Sequence, residues 1–488
     1  MKKRRIAADP LAEARRIEQE RLERERQEMI MAQNDISVIS LDNNIENSFI
    51  GQTMEMPKLD VLYTNEAKKV GRELNHLENR RVILVNTVVG TGSVGRLVEG
   101  LYNTLSANGY ECLVAYGRDT HPEGMNAYRI GQDIDVYIHG GLSRLTDRHG
   151  FYSRSATVQF INVIEEFKPD IIHLHNVHGY YLNIRVLFEY LKKTDIRVIW
   201  TLHDCWTFTG HCSHFEYIGC TKWMTGCYSC EQLAEYPKSV GKDNSQRNYA
   251  DKKELFTGFE NMTLVTPSAW LKSRVEQSFM GGYHTVVVPT GIDLSVFHPI
   301  VEERRDDNLV FRLRNSLNLR NKNVLLGVAN PWRTRKGLSQ FVNLSKLINE
   351  RCVIVLVGLD NEQLSSLPDS IIGIGHTDSV EQLAALYSMA DIYVNLTLED
   401  TFPTTNIEAI ACGTPVITYR SGGSAETIDE SCGIAVERNS VQGVVAAIDT
   451  ILSQKGIAYT TEDCVNHARL YDREVRFEEY IREVYEGM

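Results

Sequence analysis

The chain has 488 residues, 43% of them hydrophobic, and carries a formal charge of −12. At roughly 100–200 residues per domain this length holds two large domains with extensions, and the acidic balance argues against a general phosphate-tracking surface for nucleic acid. No segment reaches the roughly 18 consecutive apolar residues that span a bilayer, and the basic start MKKRR lacks the apolar core of an export signal, so a cytoplasmic protein without a transmembrane span is expected.

Residues 1–79 read as an extension. The mixed-charge run EARRIEQERLERERQEMIMAQ suits a solvated helix, and the polar stretch after it suits a tether. Lys2, Lys3, Arg4 and Arg5 offer a basic cluster for peripheral association with the inner face of a membrane. From residue 80, short Val/Ile-rich runs alternate with amphipathic ones: RVILVN, RLVEGLYNTLSANG, ECLVAYG, SATVQFINVIEEFKP, DIIHLHN, RVLFEYLKK, RVIWTLHD, MTLVTPS, AWLKSRVEQSF and HTVVVPTGID. This alternation predicts a parallel α/β sheet over 80–300. After the charged stretch EERRDDNLVFRLRNSLNLRNK the rhythm restarts with NVLLGVAN, CVIVLVGL, IIGIGH, DIYVNLT and TPVITY, predicting a second sheet over 301–465. The run VRFEEYIREVYEGM closes the chain as a C-terminal helix over 466–488. The expected architecture is α/β, with two doubly wound Rossmann-like domains facing across a cleft and ligands bound outside the carboxyl ends of the strands.

In the first half, RVILVNTVVGTGSVGRL sets Gly90, Gly92 and Gly95 as G-x-G-x-x-G between a strand and a helix, where free amides attract phosphate. The spacing also suits a nicotinamide or flavin site, with Asp119 as the ribose acid expected roughly 20 positions on, or a turn needing glycine for close packing. With no export signal, ten cysteines point to metal rather than disulfides, and five lie between residues 205 and 230. Cys212, Cys220, Cys227 and Cys230 form C-x7-C-x6-C-x2-C in an aromatic-rich insertion, 205–237. Four thiolates there suit a structural zinc ion that orders a loop with little core of its own. His211 or His214 is an alternative ligand, and packed thiols or a redox-labile pair are alternative readings.

In the second half, YVNLTLEDTFPTTNIEAIACGTPVITYRSGGSAETID sets Asp400 eight residues before Glu408, beside a helix starting near Thr404 whose free amides suit a diphosphate or a sugar hydroxyl. This segment resembles the E-x7-E segment of retaining glycosyltransferases of the GT-B fold, family GT4, with Asp400 in place of the first Glu; EAIACGTPVI and SGGSAE continue the likeness. PWRTRKGLSQF resembles the family's diphosphate-binding turn: Lys336 matches its lysine, and because Pro331 stands where its arginine is usual, Arg333 or Arg335 takes that part. His203, in IWTLHD, resembles a histidine lining the family's reaction centre, and GTGSVG resembles the glycine loop facing donor and acceptor. The run LHDCWTFTGHCSHFEYIGCTKWMTGCYSCEQLAEYP narrows the resemblance to colanic-acid-type bacterial polysaccharide glycosyltransferases, over residues 80–488.

The resemblance implies retaining transfer of a hexose-type sugar from a nucleoside diphosphate sugar to a saccharide acceptor, including a lipid-linked one, in cell-surface polysaccharide biosynthesis and with no catalytic metal. It implies His203, Asp400 and Glu408 as catalytic residues. Donor contacts would be Lys336, Arg333, Arg335, Glu399, Thr401, Phe402, Pro403, Thr404, Thr405, Gly92 and Ser93. His173, His175, Asn176, His178 and Asp204, at strand ends, would meet the acceptor. Other classes fit the same elements: a sugar-nucleotide epimerase of this fold, an NAD(P)-dependent oxidoreductase using GTGSVG, and a non-catalytic partner built around the cysteines.

Overall fold

A computed structural model describes residues 80–305 and 308–487. The N-terminal extension and its basic cluster lie outside the described residues. Seven strands form the first sheet: Arg81–Asn86 (β1), Glu111–Tyr116 (β2), Ala127–Arg129 (β3), Ile171–Leu174 (β4), Arg197–Thr201 (β5), Met262–Thr266 (β6) and His284–Val287 (β7). They run parallel in the order β3-β2-β1-β4-β5-β6-β7. Six more form the second: Asn323–Val328 (β8), Cys352–Val357 (β9), Ile371–Ile374 (β10), Ile392–Asn395 (β11), Val416–Tyr419 (β12) and Gly433–Val436 (β13), parallel in the order β10-β9-β8-β11-β12-β13. Both are doubly wound, as the alternation predicts.

The strands are apolar throughout because both sheet faces are covered by helices. Successive side chains point to opposite faces, so Ile83 and Val85 pack with the helices Arg154–Phe167 and Ile184–Leu191, whereas Val82 and Leu84 pack with Gly92–Ala107 and the C-terminal segment. In the second sheet Leu326, Val355 and Tyr393 enter one core, and Leu325, Ile354 and Ile392 the other.

The strand order fixes where ligands can enter. Strand order reverses between β1 and β4 and again between β8 and β11, so the loops leaving these strands diverge and open a crevice at each switch point. The glycine loop follows β1, His175 and Asn176 follow β4, Lys336 follows β8, and Asp400 follows β11. The residues with chemistry lie on the rims of two crevices.

The chain crosses between the halves at adjacent points. Ile292 accepts from the Arg473 amide at 2.9 Å and donates to the Tyr471 carbonyl at 2.8 Å. A Cβ on Gly291 would lie 2.5 Å from Arg473 Cα, so this contact requires glycine. The boundary expected at 465 therefore moves to Asp472. Cys464 and Ala468 of the helix Thr461–Ala468 share a core with Ile407 and Cys412 of the second half, and only the helical segment from Arg473 onward returns to the first. There Phe477, Tyr480, Ile481, Val484 and Tyr485 pack on the outer face of the first sheet.

Candidate active site

The loop after β11 carries the densest charge. Lys336 Nζ stands 2.7 Å from Asp400 Oδ2, and the Arg335 guanidinium lies 3.7 Å from the same oxygen. Burial works against ionisation of Asp400, but Lys336 and Arg335 outweigh it and hold the carboxyl well below its ordinary range. Asp400 thus anchors Lys336. Arg335 is 3% exposed and donates to the Glu399 carbonyl, which ties the turn Thr334–Lys336 to the β11 loop and takes this guanidinium out of the set of open donor contacts. Arg333, at the start of the turn and half-buried, makes no ion pair or side-chain hydrogen bond among the described residues.

The helix Thr404–Ala411 begins where the sequence places it, with Pro403 at its N-cap. Glu408 sits one turn in, accepting from Tyr387 Oη at 2.9 Å and from Thr404 Oγ1 at 3.3 Å, and burial raises its pKa. Arg96, exposed on the helix that follows the glycine loop, lies close enough to act on Glu408 electrostatically. The N-termini of these two helices therefore face the same space, where amides and macrodipoles favour an anion. Gly92 and Ser93 are exposed there, and Gly90 and Gly92 have φ of 76° and 65°. Thr405 bonds Tyr393, while Phe402 packs 5.8 Å from Tyr471 and its amide is bonded to Asp400 Oδ1.

Glu399 departs from expectation. Its carboxylate is fully buried and accepts the backbone amides of Phe215, Glu216 and Tyr217 at 3.1, 2.8 and 3.0 Å. It holds the cysteine-rich insertion of the first half rather than a donor, because three consecutive free amides outcompete solvent for one carboxylate. Burial lifts its pKa to about 7 despite these bonds. Thr401 likewise donates across the halves, to the His203 carbonyl at 2.9 Å. Glu426 adds a third link, accepting from the Ala269 and Trp270 amides at 2.7 and 2.8 Å.

On the first half, His203 Nε2 meets His175 Nδ1 at 3.1 Å, and burial pushes the His203 ring down to about 4. Asp204 Oδ2 lies 3.1 Å from His178 Nε2, and His178 Nδ1 meets Tyr236 Oη at 3.0 Å. Against the cost of burial, His178 keeps the Asp204 carboxyl down at about 2. Asn176 is half-buried at the end of β4. His173 is not an acceptor contact: it is fully buried with both ring nitrogens engaged, by Tyr485 Oη and Thr201 Oγ1, each at 2.7 Å. A side chain on the inner stretch of a strand points into the sheet's helical cover, and here the C-terminal segment is that cover. Asp119, the ribose acid of the dinucleotide reading, adopts φ 63° beside the buried Arg118.

Sequence reasoning missed Arg96, Tyr387, Tyr236 and Glu426. Arg96 directly follows the glycine motif and was readable from it; the others come from elements distant in sequence and carry no local pattern. His178, named among the strand-end histidines, is held between Asp204 and Tyr236.

Two family descriptions match the chain, one on each half: Glycosyltransferase Family 4 over residues 94–296 and Glycosyl transferases group 1 over residues 311–470. The chain is a family 4 glycosyltransferase of the GT-B fold. This glycosyltransferase is 24% identical over 324 residues to a chain described as a colanic acid biosynthesis glycosyl transferase, WcaC, of Escherichia coli K12, covering 64% of the present chain and 75% of the relative. In fold it is similar to sucrose-phosphate synthase of Thermosynechococcus elongatus, with a TM-score of 0.61, 18% identity and coverage of 84% and 100%. It is also similar to HepE of Anabaena solved with UDP-glucose, with a TM-score of 0.57, 14% identity and the same coverage. Both halves match glycosyltransferases, and nothing in these matches favours the epimerase or the oxidoreductase. No described helix of the glycosyltransferase is long and apolar enough to cross a membrane.

Proposed function

We propose that the enzyme moves a sugar, with retention of configuration, from a nucleoside diphosphate sugar to a saccharide acceptor carried on a lipid, as a step in building a cell-surface polysaccharide. The observation that carries this reading is the Lys336–Asp400 pair, 2.7 Å apart, beside the N-terminus of the Glu408 helix and across from the glycine loop. Lys336 and Arg333 would neutralise the charge that grows on the diphosphate as the glycosidic bond breaks, and the amides after Pro403 would share it. Glu408, already an acceptor of two hydroxyls, would accept from the ribose. His203, neutral near pH 7, would line the sugar side of the reaction centre. The acceptor would enter over His175, Asn176 and Asp204 and attack the face the diphosphate leaves, its proton passing to the departing phosphate. Closure of the halves on the bound substrates would exclude water that could hydrolyse the donor.

The UDP-glucose bound by HepE makes a uridine nucleotide the first donor to try. The test is thermal stabilisation of the purified protein by UDP-, GDP- and ADP-sugars and by NAD(P)H, with Lys336→Ala and Glu408→Ala as controls. Stabilisation by one sugar nucleotide, lost in both variants, is expected; stabilisation by NAD(P)H alone would overturn the reading. Peripheral association with a membrane, through the basic residues 2–5, belongs to the same proposal and is checked by co-sedimentation with anionic vesicles before and after removal of residues 1–79.

A further inference from the structure

The insertion between β5 and β6 is long, yet from Leu202 to Asn244 its regular structure is three short 3-10 turns, Trp206–Phe208, Glu216–Ile218 and Lys222–Met224. Helix and sheet do not define it; Phe208, Phe215 and Trp223 pack on one another in a buried aromatic cluster, and four cysteines lie beside that cluster. Cys212, Cys220, Cys227 and Cys230 converge on one cavity of about 20 Å³, a volume on the scale of a single ion or water. Its wall also includes Thr209, Phe215 and Trp223. All four cysteines are free thiols, and those of Cys212 and Cys230 are hydrogen-bonded to each other.

Three of the sulfurs are already fixed by backbone amides: Gly210 donates to Cys227 Sγ at 3.1 Å, Lys222 to Cys220 and Gln232 to Cys230. Donors two residues after Cys220 and Cys230 orient each sulfur and offset negative charge on it. Gly210 is required for its part, since a Cβ there would lie 2.6 Å from Cys227 Cβ and 2.1 Å from the Ser245 carbonyl oxygen. His211 supplies an independent sign. It is 2% exposed and lines the cavity, its Nδ1 is held by the Asp147 carboxylate, and its Nε2 has no hydrogen-bond partner. A carboxylate-oriented imidazole with its other nitrogen unsatisfied beside four thiols is the arrangement of a metal ligand shell. His214, the other histidine of the motif, lies instead near Arg335 and Asp400 in the cleft.

We propose that Cys212, Cys220, Cys227 and Cys230 bind one zinc ion in this cavity, with the Asp147–His211 pair against it, and that the ion fixes the turn whose amides receive Glu399. Binding releases thiol protons and leaves tetrahedral thiolate coordination. A different group, Asp429, Cys432 and His467, has ligand atoms already within 4.8 Å of one another. Its members are bonded to one another as a capped turn, through the Asp429–His467 pair and the bonds of Cys432 to the Asp429 backbone. Although His467 Nε2 also lacks a partner, the group offers three ligands, one short of a closed tetrahedral site. The four thiols surround their cavity more loosely, and the ion would draw them together.

The experiment uses the full chain purified without chelator. Elemental analysis should find about one zinc per chain, and cobalt(II) replacement should give the intense visible and near-ultraviolet bands of a tetrahedral thiolate site. Both should be lost in the Cys227→Ser/Cys230→Ser variant and kept in Cys432→Ser. Chelation of the wild type should expose the bond after Lys222 to trypsin, a readout that needs no variant and no sugar donor, so its outcome is separate from the glycosyltransfer reading. Absence of zinc together with no thiolate bands on cobalt addition would overturn the proposal. Zinc that survives the double variant and leaves with Cys432→Ser would overturn it too, by assigning the metal to the other group.

Discussion

The rims of the two crevices are built from opposite chemistry. After β8 and β11 the side chains are charged and locked in pairs: Lys336 on Asp400, Arg335 on the Glu399 carbonyl, Glu399 on three amides. After β4 and β5 they are chiefly imidazoles and hydroxyls bonded to one another, with Asp204 the one carboxylate held by His178. A rim of cations and helix amides suits a ligand bearing fixed negative charge, and a rim of neutral imidazoles suits hydroxyl groups. The proposed function uses this difference: a diphosphate on the second half and an acceptor on the first would each meet matching chemistry.

The largest effect should come from Lys336. Its replacement by alanine removes the side-chain cation nearest the proposed leaving group, and turnover should drop about 10²-fold, the scale seen when one transition-state charge partner is lost, with the thermal midpoint little changed. Initial rates and calorimetry read the two sides; a variant as active as wild type would remove the charged rim from the mechanism.

Glu399 comes next, and it tests whether charge there serves the donor or the join between halves. Glu399→Ala strands three backbone amides at Phe215, Glu216 and Tyr217, each costing about 1–3 kcal/mol where solvent cannot replace the acceptor. The thermal midpoint should fall clearly, and Glu399→Gln, which keeps one acceptor oxygen, should recover part of the loss. A donor contact would show the reverse pattern, intact stability with weakened donor binding.

On the neutral rim, two histidines separate packing from chemistry. His173→Phe leaves Tyr485 and Thr201 without their imidazole partner and should lower stability while sparing the KM for donor. His203→Ala should lower kcat more than stability. Equal loss of stability in both would make the whole rim structural.

The smallest effect is a pH dependence. Burial depresses His139, His173 and His214 to about 3 and His203 to about 4. Each takes up a proton more readily unfolded, so its contribution is full above about pH 6.5 and is lost as pH falls from there through the folded value. Glu399, raised to about 7, acts in the opposite sense: its contribution is full below the ordinary carboxylate range and declines as pH rises toward 7. Glu408, Glu426 and Glu479 are raised as well and share its sense. But His149 and His175 are lowered with the other four, and the six histidines outnumber the four carboxylates, so the thermal midpoint should rise from pH 4.5 to 6.5. It should rise more steeply in Glu399→Gln, and a flat profile in both proteins would mean that these rings are not buried in solution.

The strands anticipated from Val/Ile-rich runs are all present, because a strand buried on both faces must be apolar along its whole length. The short edge strands β3 and β13 and the helices Asp133–Thr146 and Ser245–Phe256 had weaker signatures, being partly exposed or rich in polar residues. Local sequence also placed the glycine loop, the Thr404 helix start and the Lys336 turn, since capping, φ sign and helix-end amides depend on near neighbours. It did not tell Asp400 from Glu399. The two are adjacent, and only the packed halves make one the partner of a lysine and the other the acceptor of three amides 182 to 184 residues away.

The sequence by itself therefore determined two parallel sheets, their order of appearance, and which loops carry charge. Tertiary structure decided which of those residues face the cleft, because burial and partnership are set by distant segments: the C-terminal segment that consumes His173, the insertion that captures Glu399, and the fold of the cysteine turn that aims His211 and four thiols at one cavity.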